Sequence, residues 1–95
     1  MPSIFSYRGY LFYFWSNEYS GNKLEPIHVH VAKNYDKNAP KFWLMKDCST
    51  KIDEKDANKL TASEINMFEE IITANRNEVF NKWFEHFGAG EFKEN

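Results

Sequence analysis

The chain has a single cysteine, Cys48. One thiol excludes an intrachain disulfide and fits a reducing compartment. No His or Asn with a nucleophile signature surrounds it, so Cys48 reads as a small, half-buried residue. No apolar run approaches the roughly 18 residues needed to cross a bilayer. The start, Met1-Pro2-Ser3-Ile4, has no basic stretch leading into an apolar core, so neither export nor a membrane partner is expected and a cytoplasmic location follows by default. Positive charge is not in excess. A formal net charge of -2 provides no global field for nucleic acid, which is therefore not favoured as a partner, although a local basic patch is compatible with it. There is no glycine-rich phosphate loop, nucleophile elbow, Cys-x-x-Cys pair or His-Glu-x-x-His helix, and no cofactor is implied. Internal repeats and low-complexity tracts are missing as well.

What is present is aromatic. Phe, Tyr and Trp make up 18% of a 95-residue chain, enough for a small core to be filled by few side chains. The length suits one domain, residues 1–95, with a β-rich part over 1–53 and a helical part over 61–88. Tyr7 to Trp15 reads as an aromatic strand covered on both faces. Ser16 to Leu24 carries Asn17, Ser20, Gly21 and Asn22 and reads as a turn. Ile27–Ala32 and Lys41–Met45 are the next strands, Asp47–Ile52 a short fourth, and the charged run Asp53–Lys59 a solvated loop. Thr61 followed by Glu64 matches a capping box. Ile65, Phe68, Ile72, Val79, Trp83 and Phe87 then form a helical stripe that Gly88 and Gly90 end, interrupted at Asn75-Arg76-Asn77. The expectation is an α+β domain. A small antiparallel sheet of three to four strands packs on one long helix over 62–87, bent or split near Asn75.

The most informative run is Glu25-Pro26-Ile27-His28-Val29-His30-Val31. Strand side chains alternate, so both imidazoles share one face and Ile27, Val29 and Val31 the other. A hairpin turning near Tyr35 and Asp36 sets His30 opposite Lys41 and His28 opposite Trp43, with Val29 against Phe42 and Ile27 against Leu44. That register gathers His28, His30, Lys41 and Trp43 into an amphipathic patch directed away from the helical layer. Imidazole titrates near neutrality and binds metals, which makes His28, His30 and Lys41 the candidate catalytic residues. The pair would move protons and Lys41 would steady a phosphate. Zinc needs a third ligand. Glu25, Glu18 and, remotely, His86 are the candidates, none set by a recognised signature, so no metal site is assigned. The plainer reading is that the imidazoles bond to loop carbonyls or Glu25 and lock the turn. His86 suits a helix C-terminus, Pro26 stiffens strand entry, and Trp43 suits core or interface.

Ser16-Asn17-Glu18, Glu-Pro-x-His-Val-His-Val from Glu25, Lys41-Phe42-Trp43-Leu44, and a helix carrying Glu64-Ile65, Asn75-Arg76, Glu78 and Trp83 together resemble a small bacterial family, the domain of unknown function four-one-six-zero. The likeness runs over nearly the whole chain. Many similar proteins carry a second proline where this one has Ile27, and the stretch between Glu18 and Glu25 is longer here. The resemblance implies the toxin side of a toxin–antitoxin-like pair and a cognate small partner protein covering the amphipathic face. It places interest on Glu25, His28, His30, Lys41 and Trp43, with Glu25 and Trp43 as binding residues. Three expectations follow: a toxin-like module acting by protein contact or self-association, a small phosphodiesterase or ribonuclease, and a purely structural histidine pair.

Overall fold

A computed structural model of the chain describes residues 3–95. Met1 and Pro2, part of the amino-terminal reading, lie outside the described residues. Strands β1 (Ser3–Tyr7), β2 (Tyr10–Tyr13), β5 (His28–Ala32), β6 (Lys41–Leu44) and β7 (Thr50–Ile52) form an antiparallel sheet in the order β1-β2-β5-β6-β7. Strands β3 (Tyr19–Ser20) and β4 (Lys23–Leu24) form a separate hairpin, and two helices follow, α1 (Ala62–Ala74) and α2 (Arg76–Phe87). The class is α+β, with a larger sheet than the sequence suggested and two helices in place of one.

The aromatic run is a strand, a turn and a strand. Arg8 and Gly9 both have positive φ (51° and 83°), the backbone of the two-residue turn whose twist matches paired strands. Tyr7 then meets Tyr10 and Phe5 meets Phe12. The stretch between Glu18 and Glu25 holds the β3–β4 hairpin, turning on Gly21 at φ 66°. Asp53–Lys59 is not a free loop. Glu54–Lys59 is a 3-10 helix, capped by Asp53 accepting from the Lys55 amide at 3.0 Å, and Asp56 within it is buried.

The β5–β6 register is the one the residue pattern predicts: His28 pairs with Trp43, Val29 with Phe42 and His30 with Lys41. The Leu44 amide donates to the Ile27 carbonyl at 3.0 Å, continuing it. Phe12, Val29, Val31, Phe42 and Leu44 from the sheet meet Phe68, Ile72, Val79 and Trp83 from the helices, all buried in one core. Each large side chain removed from water contributes about 1.5–3 kcal/mol, so a one-residue slip that turned β5 over would be strongly disfavoured.

The Thr61–Glu64 capping box forms as expected, each side chain accepting from the other's amide. Helix α1 stops at Asn75, whose φ of -110° and ψ of 23° break the helical path, and whose side-chain Nδ2 donates to the Ile71 carbonyl at 2.8 Å. The break redirects α2 so that Arg76 reaches the Met45 carbonyl at 2.7 Å. Beyond Gly88, Gly90 passes so close to the core that a Cβ there would stand 2.8 Å from the Trp83 ring. The last residues then run beside the end of β6, where Lys93 bridges Met45 in parallel. Cys48 departs from expectation: it is exposed, at φ 74° in the β6–β7 turn. A tight turn requiring a left-handed residue there turns the thiol outward instead of into the core.

Candidate functional site

Two imidazoles on one strand face are a consequence of alternation. What brings a third group to them is the loop before β3. Tyr19 donates its amide to Asn17 Oδ1 at 3.0 Å, an Asx-type turn, and the Trp15 amide donates to Glu18 Oε2 at 2.8 Å. Curled in this way, the loop folds Glu18 back over β5. Glu18 Oε2 lies 3.1 Å from His30 Nε2, and Oε1 lies 3.0 Å from His28 Nε2. All three are buried, His28 completely.

The partners of the other ring nitrogens decide the tautomers. His28 Nδ1 is 2.8 Å from the Pro26 carbonyl, and His30 Nδ1 is 3.4 Å from the Ala39 carbonyl. A carbonyl only accepts, so His28 Nδ1 carries the proton, whereas His30 stands between two acceptors and gives its proton through Nε2 to the nearer, Glu18 Oε2. In a neutral ring His28 Nε2 is then a lone pair beside the same carboxylate. His28 Nε2 is close enough to Glu18 for an ion pair, yet its direction is wrong for a hydrogen bond, and it is a buried atom with no bonding partner. Something positive is needed between His28 Nε2 and Glu18, either a proton on that nitrogen or a cation. Burial alone would raise the Glu18 carboxyl. The adjoining His28 and His30, with the Trp15 amide, outweigh that and hold it far below the usual carboxylate range.

The remaining sequence candidates fall around this centre. Lys41 Nζ is held by Glu25 Oε1 at 2.7 Å and lies 4.9 Å from the Trp43 ring centre, with Lys93 at 4.7 Å from the same ring. Trp43 Nε1 donates to Asp53 Oδ2 at 3.1 Å. Glu25 therefore pairs with Lys41 and does not complete the histidine cluster; Glu18 does. His86 is also apart, donating through Nε2 to the Ser16 carbonyl at 2.9 Å. The patch is less open than its residues suggest, because the Glu18 loop and Lys93 occupy much of it. Nor is it wholly separate from the helices, since the His28 ring lies edge-on to Trp83 of α2 at 5.1 Å.

Over His30 a cleft of about 400 Å³ remains, lined by Trp15, Glu18, Ala39 and the lysines Lys37, Lys41, Lys55 and Lys59, with Asp56 among them. Lys59 pairs with Asp56 and Lys41 with Glu25, while Lys37 and Lys55 make no ion pair among the described residues. The cleft is thus basic on a chain of net charge -2. A wider hollow of about 700 Å³ between the β6–β7 turn and α1, containing Cys48, Glu69 and Glu70, has no histidine or lysine in its lining.

The family model for a domain of unknown function (DUF4160) matches residues 9–84. The chain belongs to this family. The DUF4160 match takes in β2 to β7, the 3-10 helix, all of α1 and most of α2, and so includes Glu18, Glu25, His28, His30, Lys41 and Trp43. Comparison with curated proteins and with solved structures returned no match. In the sequence Glu18 is one of two carboxylates, with Glu25, that stand near enough to complete the pair. Its signal was the Asn17-Glu18 turn, which has meaning only once β2 and β5 are known to be neighbours. Lys37, Lys55 and Lys59 had no signal at all, because they converge from a turn and a 3-10 helix.

Proposed function

We propose that the protein binds single-stranded RNA in the lysine-lined cleft and cleaves its phosphodiester backbone with the histidine cluster at the floor. The observation that carries this reading is the position of His30: a buried imidazole, oriented through Nε2 by Glu18, in the lining of a basic cleft. A carboxylate that fixes one ring nitrogen leaves the other for proton transfer. The Nδ1 contact of His30, at 3.4 Å, is the longest of the pair's four ring-nitrogen contacts, and Ala39, which accepts it, also lines the cleft. In the reaction His30 Nδ1 takes the proton of the attacking ribose 2′-hydroxyl as its oxygen bonds to phosphorus, the bond from phosphorus to the 5′ oxygen breaks, and the imidazolium returns that proton to the leaving 5′ oxygen, while Lys37 and Lys55 offset the phosphate charge. His28, fully enclosed, positions Glu18.

The test uses fluorescent RNA oligonucleotides. Wild type should bind with a salt-dependent affinity and cut. His30→Ala should lose about 10²–10⁴-fold in cleavage rate while still binding. The double variant Lys37→Ala/Lys55→Ala should bind more weakly and reduce the slope of log affinity against log salt by about 1.4, near 0.7 per phosphate contact. A wild-type protein that neither binds nor cuts RNA at low salt overturns the reading.

The toxin-side role implied by the family resemblance supplies a cellular setting for such an activity, with a small partner protein as its antidote. Growth on expression with and without the product of the neighbouring gene, taken as the candidate partner, for wild type and the double His28→Ala/His30→Ala variant, tests that setting. The alternative of action by protein contact alone would leave the double variant as toxic as wild type.

A further inference from the structure

We propose that Glu18, His28 and His30 form a binding site for one divalent transition-metal ion of the zinc class, with an open coordination position toward the lysine-lined cleft. One ligand atom from each residue lies within 4.8 Å of the others. An ion about 2.0–2.1 Å from each would draw them to separations of about 3.3 Å, and the two carboxylate–imidazole approaches, one through each Glu18 oxygen at 3.0 and 3.1 Å, are already that short. Both imidazoles present Nε2 inward and set Nδ1 against a backbone carbonyl, to which a ring bound to the ion through Nε2 gives Nδ1–H. That is the outer-shell arrangement by which proteins set the tautomer and orientation of metal-binding histidines.

The second observation is independent of spacing. His28 is fully buried and its Nε2 has no hydrogen-bond partner. A buried polar atom without a partner is costly, and a lone pair 3.0 Å from a carboxylate oxygen adds repulsion. A cation resolves both. Two imidazoles with one carboxylate favour a borderline transition metal over magnesium or calcium, which take oxygen ligands. Three protein ligands leave a fourth position free. Glu18 and His30 both line the cleft and His28 does not, so the free position lies on the cleft side. The ion and one carboxylate together carry a net positive charge that an anionic ligand would match. With the ion in place His30 becomes a ligand, and the ion in its stead meets the phosphate. That consequence rests on the RNA reading; the binding of the ion does not.

The test is metal binding to the intact chain without RNA. Protein stripped with chelator is titrated with Zn²⁺ by calorimetry and with Co²⁺ by visible absorption. One ion per chain is expected, together with a rise in thermal midpoint. Glu18→Gln and His28→Gln should each weaken binding by about 100-fold or more, since even outer-shell changes cost 10–100-fold, and His86→Gln should leave it unchanged. If the glutamine variants do not fold, long-range ¹H–¹⁵N spectra of the wild type decide. On adding Zn²⁺, the Nε2 resonances of His28 and His30 should move, and in the bound state both Nδ1 should carry a proton. Absence of one-to-one binding, binding lost in His86→Gln instead, or unmoved Nε2 resonances overturns the site. RNA cleavage that persists in chelator without metal binding removes this inference and leaves the RNA reading standing. Metal binding without any RNA binding does the reverse.

Discussion

Tyr13 lies on the same sheet face as His30 and is fully buried. Its hydroxyl donates to the Asp36 carbonyl and accepts from the Asp36 amide, both at 3.0 Å, and so ties the β5–β6 connection to β2 beside the cleft. Removing it leaves two backbone groups without their partner. We expect Tyr13→Phe to cost about 1–3 kcal/mol in urea denaturation at neutral pH. Its pH dependence has a definite sign. Burial pushes the Tyr13 phenol above its usual range, and the Asp36 amide only partly opposes this. A group whose native value is raised stabilises fully below its unfolded value near 10, and the contribution is lost as pH rises through the native value. Wild type should therefore weaken on alkaline titration above about pH 10 more steeply than Tyr13→Phe. Equal slopes in the two proteins would contradict the assignment.

At the scale of elements, α1 is held by its first turn and by its grip on the sheet edge. Thr61 and Glu64 satisfy each other's amides. Glu69 Oε2 accepts from the Ile52 amide at 3.1 Å, and the Thr73 and Thr50 hydroxyls meet at 2.8 Å. The outer side of β7, which would otherwise offer unpaired amides to a neighbouring chain, is thereby partly covered. Thr61→Ala removes the cap only; a loss of about 1 kcal/mol in chemical denaturation, with no change in the oligomeric state, is expected. The capping box was legible in the sequence because its two residues are three apart and need no tertiary partner. The split at Asn75 was legible only as an interruption of the apolar stripe. What turns it into two helices is the pull of Arg76 on the β6–β7 turn and the need for Trp83 to reach the core, neither visible locally. The β1–β2 turn was missed for a related reason, since Arg8-Gly9 sits inside an unbroken aromatic run that reads as one strand.

At the scale of the molecule, the segment after Gly90 closes the sheet end at which the histidine pair begins. The Ile27 amide donates to the Glu91 carbonyl at 2.8 Å, Lys93 and Leu44 bond at 2.8 Å, and the Lys46 amide donates to the Lys93 carbonyl at 2.9 Å. Phe92 packs on Phe80 beneath Arg76. Deleting residues 91–95, which lie beyond the family match, should destabilise the protein by about 2–4 kcal/mol, from three backbone bonds and one aromatic side chain. Calorimetric unfolding of the shortened chain checks it, and an unchanged midpoint would show the segment to be dispensable. By itself the sequence determined the α+β class, the β5–β6 register and the shared face of His28 and His30. These follow from periodicity and nearest-neighbour pairing, which are short-range. Only the tertiary structure decided that Glu18 is the third member of the cluster and that lysines from separate segments surround it. Those contacts join residues far apart in the chain, and no local pattern records which loop a folded sheet brings over its own face.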